Sequence, residues 1–219
     1  MSGSPFFPSF DELGATIPIF PLTGVVLLPR GLLPLNIFEP RYIEMVDDAL
    51  ATDRMIGMIQ PVAPNDPADR PPVYGTGCAG RITSFDETED GRYLITLTGI
   101  CRFRVAGELP ATTAYRRAEA DWSGFAGDFD QPTIDLDRKR LCTVLTGYFR
   151  QHGISANWEA IRDTPDERLV TSLVMICPFG PSEKQALLEA PTLAERAEMM
   201  ISLIEMAVLG RETDDGACH

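Results

Sequence analysis

The stretch from Ile17 to Phe38, IPIFPLTGVVLLPRGLLPLNIF, constrains the fold more than any other part of the chain. It is dense in aliphatic side chains and broken by Pro18, Pro21, Pro29 and Pro34. Proline lacks the amide hydrogen that a helix interior or a central strand uses, so neither a long helix nor a fully paired strand can run through it. What remains is a set of short strands at edges or bulges. Leu22-Thr23-Gly24 and Pro29-Arg30-Gly31 are the turns between them.

The period then changes. Pro40 suits the first position of a helix, directly after Glu39. Tyr42, Met45, Val46, Ala49 and Leu50 follow at the spacing of one helical face. Residues 54–60 read as a short buried strand. Residues 61–72 are rich in Pro and read as an exposed loop. The glycines of Gly75-Thr76-Gly77-Cys78-Ala79-Gly80 lead into a strand pattern, so they mark a tight strand entry or a bulge and not a dinucleotide loop.

Residues 81–87 and 92–99 alternate as strands around a hairpin at Glu89-Asp90-Gly91. Residues 100–105 place Cys101, Phe103 and Val105 on one face and Arg102 and Arg104 on the other. Residues 115–122 read as a last strand. Past Ser123, with Gly124, Gly127 and Pro132 at the joint, the pattern is helical. A helix over about 134–152 ends at Gly153. Thr164-Pro165-Asp166-Glu167, Ser182-Glu183-Lys184-Gln185 and Thr192-Leu193-Ala194-Glu195 carry N-terminal capping signals. Strands first and helices second predict an α+β fold. The expected divisions are a loose arm over 1–16, a strand part over 17–123, a helical bundle over 124–210 and a flexible tail over 211–219.

Chemistry is harder to find. The chain of 219 residues carries 19 basic and 32 acidic side chains, a net charge of −13. That opposes a DNA- or RNA-tracking surface and an anchor on anionic lipid. No run approaches the ~18 apolar residues of a membrane helix, and the N-terminus has no basic, apolar leader pattern. The 5 Cys are odd in number and scattered with no C-x-x-C, which fits reduced thiols in the cytoplasm and offers no zinc site. The 2 His are His152, at a predicted helix end, and His219. Lys139 and Lys184 are the only lysines and neither follows Gly, so there is no Walker A loop.

Other apparent motifs have plain explanations. No Ser sits in a G-x-S-x-G elbow. Ser182 reads as a helix cap with Lys184 turned to solvent, not as a Ser-Lys dyad. The acidic run Asp86-Glu87-Thr88-Glu89-Asp90 reads as a solvated hairpin tip. Arg116-Arg117 and Arg138-Lys139-Arg140 read as surface salt-bridging groups. These residues point to a binding module more than to an enzyme, with carboxylate-only chemistry left open and no cofactor or metal expected.

The segment IPIFPLTGVVLLPRGLLPLNIFEPRYIEMVDDALATDRMIGMI resembles the N-terminal substrate-recognition domain of Lon proteases, most of all free-standing bacterial members marked by an LPLNIFEPRY-like run. The resemblance continues through YGTGCAGRITSF, RYLITLTGICRFRV and LVTSLVMICPFGPSEKQALLEAPTLAERAEMMISLIEMAV, from about Ile17 to Leu209. It implies a pseudouridine-synthase-and-archaeosine-transglycosylase-like (PUA-like) β-barrel with one inserted helix, followed by a C-terminal helical bundle. It implies recognition of unfolded or tagged polypeptide, with a protease as a further partner, and an adaptor or regulator role in ATP-dependent proteolysis. The ATPase and peptidase motifs of a full Lon protease are not in these residues. Leu35, Phe38, Arg41 and Tyr42 are the candidate polypeptide-binding residues, since aromatic and Arg side chains supply most binding hot spots. The competing readings are core packing for Phe38 and Tyr42, and an Arg41 pair with Glu39 or Glu44. An RNA-binding PUA-like module and a structural partner of another assembly remain the alternatives.

Overall fold

The computed structural model describes residues 7–63, 68, 70–130 and 133–215, the side chains of 210–215 excepted. Residues 1–6 of the expected arm, 64–67 and 69 of the Pro-rich loop, Pro132 of the joint and 216–219 of the tail lie outside the described residues.

The strands are β1 (Thr16–Pro21), β2 (Leu32–Ile37), β3 (Met55–Ile59), β4 (Thr76–Glu87), β5 (Tyr93–Glu108) and β6 (Arg116–Asp121). They run in the order β2-β5-β4-β3-β1-β6, and β5 also pairs with β6. Five strands therefore close a ring, and β2 lies outside it on the near half of β5. The length of β5 makes this possible. Its first residues, Tyr93 to Thr98, pair with β2, while its last, Arg104 to Glu108, pair with β6. Closure is uneven, with register shifts between Ala79 and Gly80 and between Val105 and Gly107. Such bulges bend a strand and tighten its twist. β1 and β3 are parallel, and the crossover that this requires contains β2 and the inserted helix α1 (Pro40–Leu50).

The glycine-rich run 75–80 leads into and joins β4, and the separate strands expected at 92–99 and 100–105 merge into β5. Phe103 explains part of this. Its ring fills the barrel, and a Cβ on Gly77 or Gly57 would come within 2.8 Å of it. Ile17, Ile19, Ile59, Ala79, Cys101 and Ala118 complete the barrel interior.

The helical part holds α2 (Arg138–His152), α3 (Trp158–Asp163), α4 (Asp166–Ile176), α5 (Pro181–Glu189) and α6 (Leu193–Asp215). Asp137 caps α2 by accepting from Arg140 N–H at 2.9 Å, and Gly153 ends it with φ 64°. Thr192 caps α6 by accepting from Glu195 N–H. The cap of α5 differs from expectation. Gly180 occupies the N-cap, and its N–H donates to Glu183 Oε2 at 2.7 Å. Pro181 then takes the first helical position, so Ser182 is already inside the helix. Lys184 consequently faces inward, buried, with its ammonium donating to the Met175 carbonyl at 3.0 Å. The solvent-facing Lys184 expected from the sequence is corrected by this contact.

One continuous apolar cluster joins the outside of the barrel to the helices. Phe20, Val26, Leu28, Tyr42 and Met45 meet Leu141, Tyr148, Leu173 and Ile201 in it. Burying each such side chain contributes about 1.5–3 kcal/mol. None of the described helices is long and apolar enough to cross a membrane.

Candidate functional site

The structure brings Leu35, Phe38, Arg41 and Tyr42 to one corner, where β2 runs into α1. Strand alternation turns Leu33, Leu35 and Ile37 inward, leaving Leu35 half-buried. Phe38, one residue past the strand, is 64% exposed. Arg41 is exposed and pairs with Glu39 at 2.8 Å. Its guanidinium also lies 4.6 Å from the Tyr42 ring centre. Tyr42 is 7% exposed and packs on Phe20 with ring centres 4.2 Å apart.

Register extends this corner further than sequence reasoning reached. Leu35 pairs with Ile95, and Ile95 pairs with Phe85, so three strands line up an apolar row on one face. Phe85 is 42% exposed and meets Tyr93 edge-on, ring centres 4.9 Å apart. Tyr93 in turn pairs with Ile37. The period-2 alternation of β5 marks Tyr93 and Ile95 as facing one way. Nothing local says that Phe85 joins them, because that follows from the β4–β5 register.

Beneath the corner is a cavity of about 270 Å³ lined by Pro21, Arg41, Tyr42, Arg70, Ala114, Tyr115 and Arg116. The Tyr115 hydroxyl donates to Asp48 at 2.8 Å, and burial together with that carboxylate lifts its pKa to about 12. Burial also raises the Tyr42 phenol. Arg116 is buried, where the sequence suggested a surface group. It donates to the Glu108 carboxylate through two nitrogens and to the Pro71 carbonyl at 2.7 Å.

A second cavity, of about 240 Å³, lies at the seam between barrel and helices, with Arg30, Arg102, Asp128, Glu167 and Arg196 in its wall. These side chains are structural. A helix leaves its last carbonyls unsatisfied, and two arginines take up those of α5. Arg102 donates to Leu188 O at 3.1 Å and Ala190 O at 2.8 Å, and Arg196 donates to Leu187 O at 2.8 Å. Burial and the neighbouring Arg102 cation lower the Arg196 pKa to about 10. Arg30 adopts φ 64°, pairs with Glu167 and donates to Asp128 O. Arg138 plays a similar part below α3, donating to Ile161 O at 3.1 Å and Arg162 O at 3.0 Å.

Among the described residues no group of three His, Cys, Asp or Glu could hold a metal ion. Burial pushes the Cys101 and Cys177 thiols up to about 12 and Cys78 up as well, the opposite of what a thiolate nucleophile needs. His152 Nδ1 lies 2.9 Å from the Tyr148 carbonyl in the last turn of α2, as a capping group does. Lys184, held by Met175 O, forms no dyad with Ser182.

The family model for the ATP-dependent protease La (LON) substrate-binding domain matches residues 16–206. The chain belongs to the LON substrate-binding domain family. "Lon protease 2" of Myxococcus xanthus is 24% identical over 198 residues, covering 89% of this chain and 24% of that one. A Lon protease of Parabacteroides distasonis is 31% identical over 205 residues, covering 91% of this chain and 25% of that one. The chain thus spans about a quarter of the length of these curated relatives. A crystal structure of a Lon N-terminal domain protein from Xanthomonas campestris aligns at a TM-score of 0.59 and 23% identity, over 85% of this chain and 97% of that one. The N-terminal domain of a Mycobacterium avium complex Lon protease aligns at 0.57 and 15%, over 87% and 98%. Both show the LON N-terminal fold for this chain: a six-stranded sheet with helices, assembled in the order described above.

Proposed function

We propose that this LON-family chain binds polypeptide without catalysing its cleavage, as an adaptor or regulator of ATP-dependent proteolysis. The observation that supports this most is the pair of exposed aromatic side chains at the β2–α1 corner and on the adjoining β4, Phe38 at 64% and Phe85 at 42% exposed, in a chain of the LON substrate-binding family. Exposed aromatic side chains over a rigid sheet are what an unfolded client can cover, because its own apolar residues are not yet buried. Leu35 and Phe38 supply apolar contact, and Arg41 supplies charge-assisted hydrogen bonds. Tyr42 braces the corner from beneath through Phe20. Unfolded or tagged polypeptide is the client, and a protease is a second partner in the same reading. The PUA-like assignment of the strand part belongs to this proposal and rests on the family resemblance.

Hydrogen exchange of the chain, alone and with a reduced, carboxymethylated unfolded protein, tests the surface. The reading expects added protection at residues 33–42 and 85–95. Protection confined to the helices, or none, contradicts it.

A further inference from the structure

The geometry points to the cavity beneath the β2–α1 corner as a receptor for the C-terminal carboxylate of a client polypeptide. This rests on the polypeptide-binding reading and adds the chemical group that is recognised.

The charge of the wall is the first ground. The chain holds 32 acidic against 19 basic side chains, yet among the described residues the wall of this cavity has three arginines, Arg41, Arg70 and Arg116, and no carboxylate. The two phenols, Tyr42 and Tyr115, complete its polar lining. The seam cavity makes a useful contrast, since Asp128, Asp130 and Glu167 share its wall with three arginines. There Arg30 and Arg102 pair with Glu167 and Asp128 inside the wall, whereas Arg41 and Arg116 of the corner cavity pair with Glu39 and Glu108, which do not line it.

Preorganisation is the second ground. Arg116 is buried and fixed by Glu108 and the Pro71 carbonyl, so its planar head does not have to be ordered when a ligand arrives. A guanidinium carries five N–H donors. Three of those on Arg116 are engaged among the described residues, which leaves two. Arg41 stands at the other side, its carboxylate partner Glu39 half-exposed and easily exchanged. Asp48 and Glu44 also reach residues of the wall. Asp48 accepts from the Tyr115 hydroxyl and Glu44 from Ala114 N–H, so both are engaged outside the wall.

Two arginine forks around about 270 Å³ suit a two-oxygen anion with room for the residue that bears it. A terminal carboxylate is the one such group that every polypeptide carries whatever its sequence. That matches an apolar surface with no other evident sequence code, whose exposed Phe38 precedes Arg41 of the wall by three residues.

The test uses the whole chain and two kinds of probe. The first is N-acetylalanine against N-acetylalanine amide and inorganic phosphate, followed by NMR on the arginine Nε–H signals. The acid should shift Arg41 and Arg116 saturably and the amide should not. Arg41→Ala, an exposed change that leaves the fold alone, should weaken the acid roughly tenfold. Arg70→Ala gives a second variant should Arg116 substitutions fail to fold. Equal shifts from acid and amide, no shifts at all, or phosphate binding without carboxylate binding would overturn the site. The second probe is an apolar peptide as free acid, as C-terminal amide, and as an amide with an internal Asp. Preference for the free acid, lost in Arg41→Ala, supports the assignment. Equal binding of the Asp-containing amide overturns the terminal assignment. Binding of all three peptides with a silent small probe sinks the site and leaves the polypeptide reading standing. A small-acid site with no peptide binding does the reverse.

Discussion

Arg102 Nη2 and Asp128 Oδ1 meet at 2.8 Å, with each side chain only 7% exposed. The same guanidinium reaches the carbonyls of Leu188 and Ala190, so one residue of β5 ties the turn at 126–129 and the end of α5 to the barrel. A buried ion pair loses much of its attraction to desolvation, but removing one partner strands the other.

Asp128→Ala should therefore destabilise the chain by about 3–5 kcal/mol in urea unfolding. Replacing both partners, Arg102→Met with Asp128→Leu, should cost clearly less than the sum of the single changes. Additive losses would show that the pair does not act as a unit.

Gly99 is a second point of close approach. Its N–H donates to Gly31 O at 2.8 Å, and a Cβ there would run into the Leu28 carbonyl. Backbone cannot yield as a flexible side chain can. Gly99→Ala should cost at least about 2 kcal/mol or prevent folding, whereas Gly75→Ala, with open space around it, should be close to neutral. Equal effects in thermal unfolding would contradict this packing.

Alkali should unfold the chain over a defined window. Cys101, Cys177 and Tyr115 are raised to about 12, so in the folded state they stay neutral where the unfolded chain ionises. Raised pKa values give stability that is present in full below the unfolded values, near 9 for thiols and 10 for tyrosine, and lost as pH climbs towards 12. The urea midpoint should hold to about pH 8 and fall steadily above pH 9. In the native state at pH 8, an aromatic disulfide reagent should reach half-exposed Cys142 well before Cys78, Cys101 or Cys177. Rapid labelling of the buried three without unfolding would refute the burial.

Phe38 and Tyr42 should separate cleanly. Tyr42→Ala removes a ring packed on Phe20 and should cost about 3 kcal/mol or more. Phe38→Asp alters an exposed side chain and should leave the unfolding midpoint within about 0.5 kcal/mol of the parent.

How far these features could be read from the residues depends on how local their causes are. α1 was legible because Pro40 and the Tyr42–Met45–Val46–Ala49 stripe act within one element, and Gly153 ended α2 for the same reason. The single long β5 was not, since Gly99 looks like a break until the opposing Gly31 turn is in place. Alternation correctly set Arg102 opposite Cys101 and Phe103, facing away from the barrel interior. It could not show that α5 and α6 cover that outer face and make Arg102 a buried cap. Lys184 misled for a similar reason, because its helix begins two residues earlier than its Ser-Glu signal suggested. At the corner, Leu35, Phe38, Arg41 and Tyr42 came from one contiguous run. Phe85 and the distant walls of the arginine cavity depend on strand register, which no short segment encodes.

The most direct test of the central claim is a binding titration of a fluorescently labelled, permanently unfolded protein against the parent chain and folded Phe38→Asp. Polypeptide recognition at the β2–α1 corner predicts saturable binding by the parent and a loss of roughly tenfold or more in the variant. Unchanged affinity in Phe38→Asp, or no binding by the parent, would contradict it.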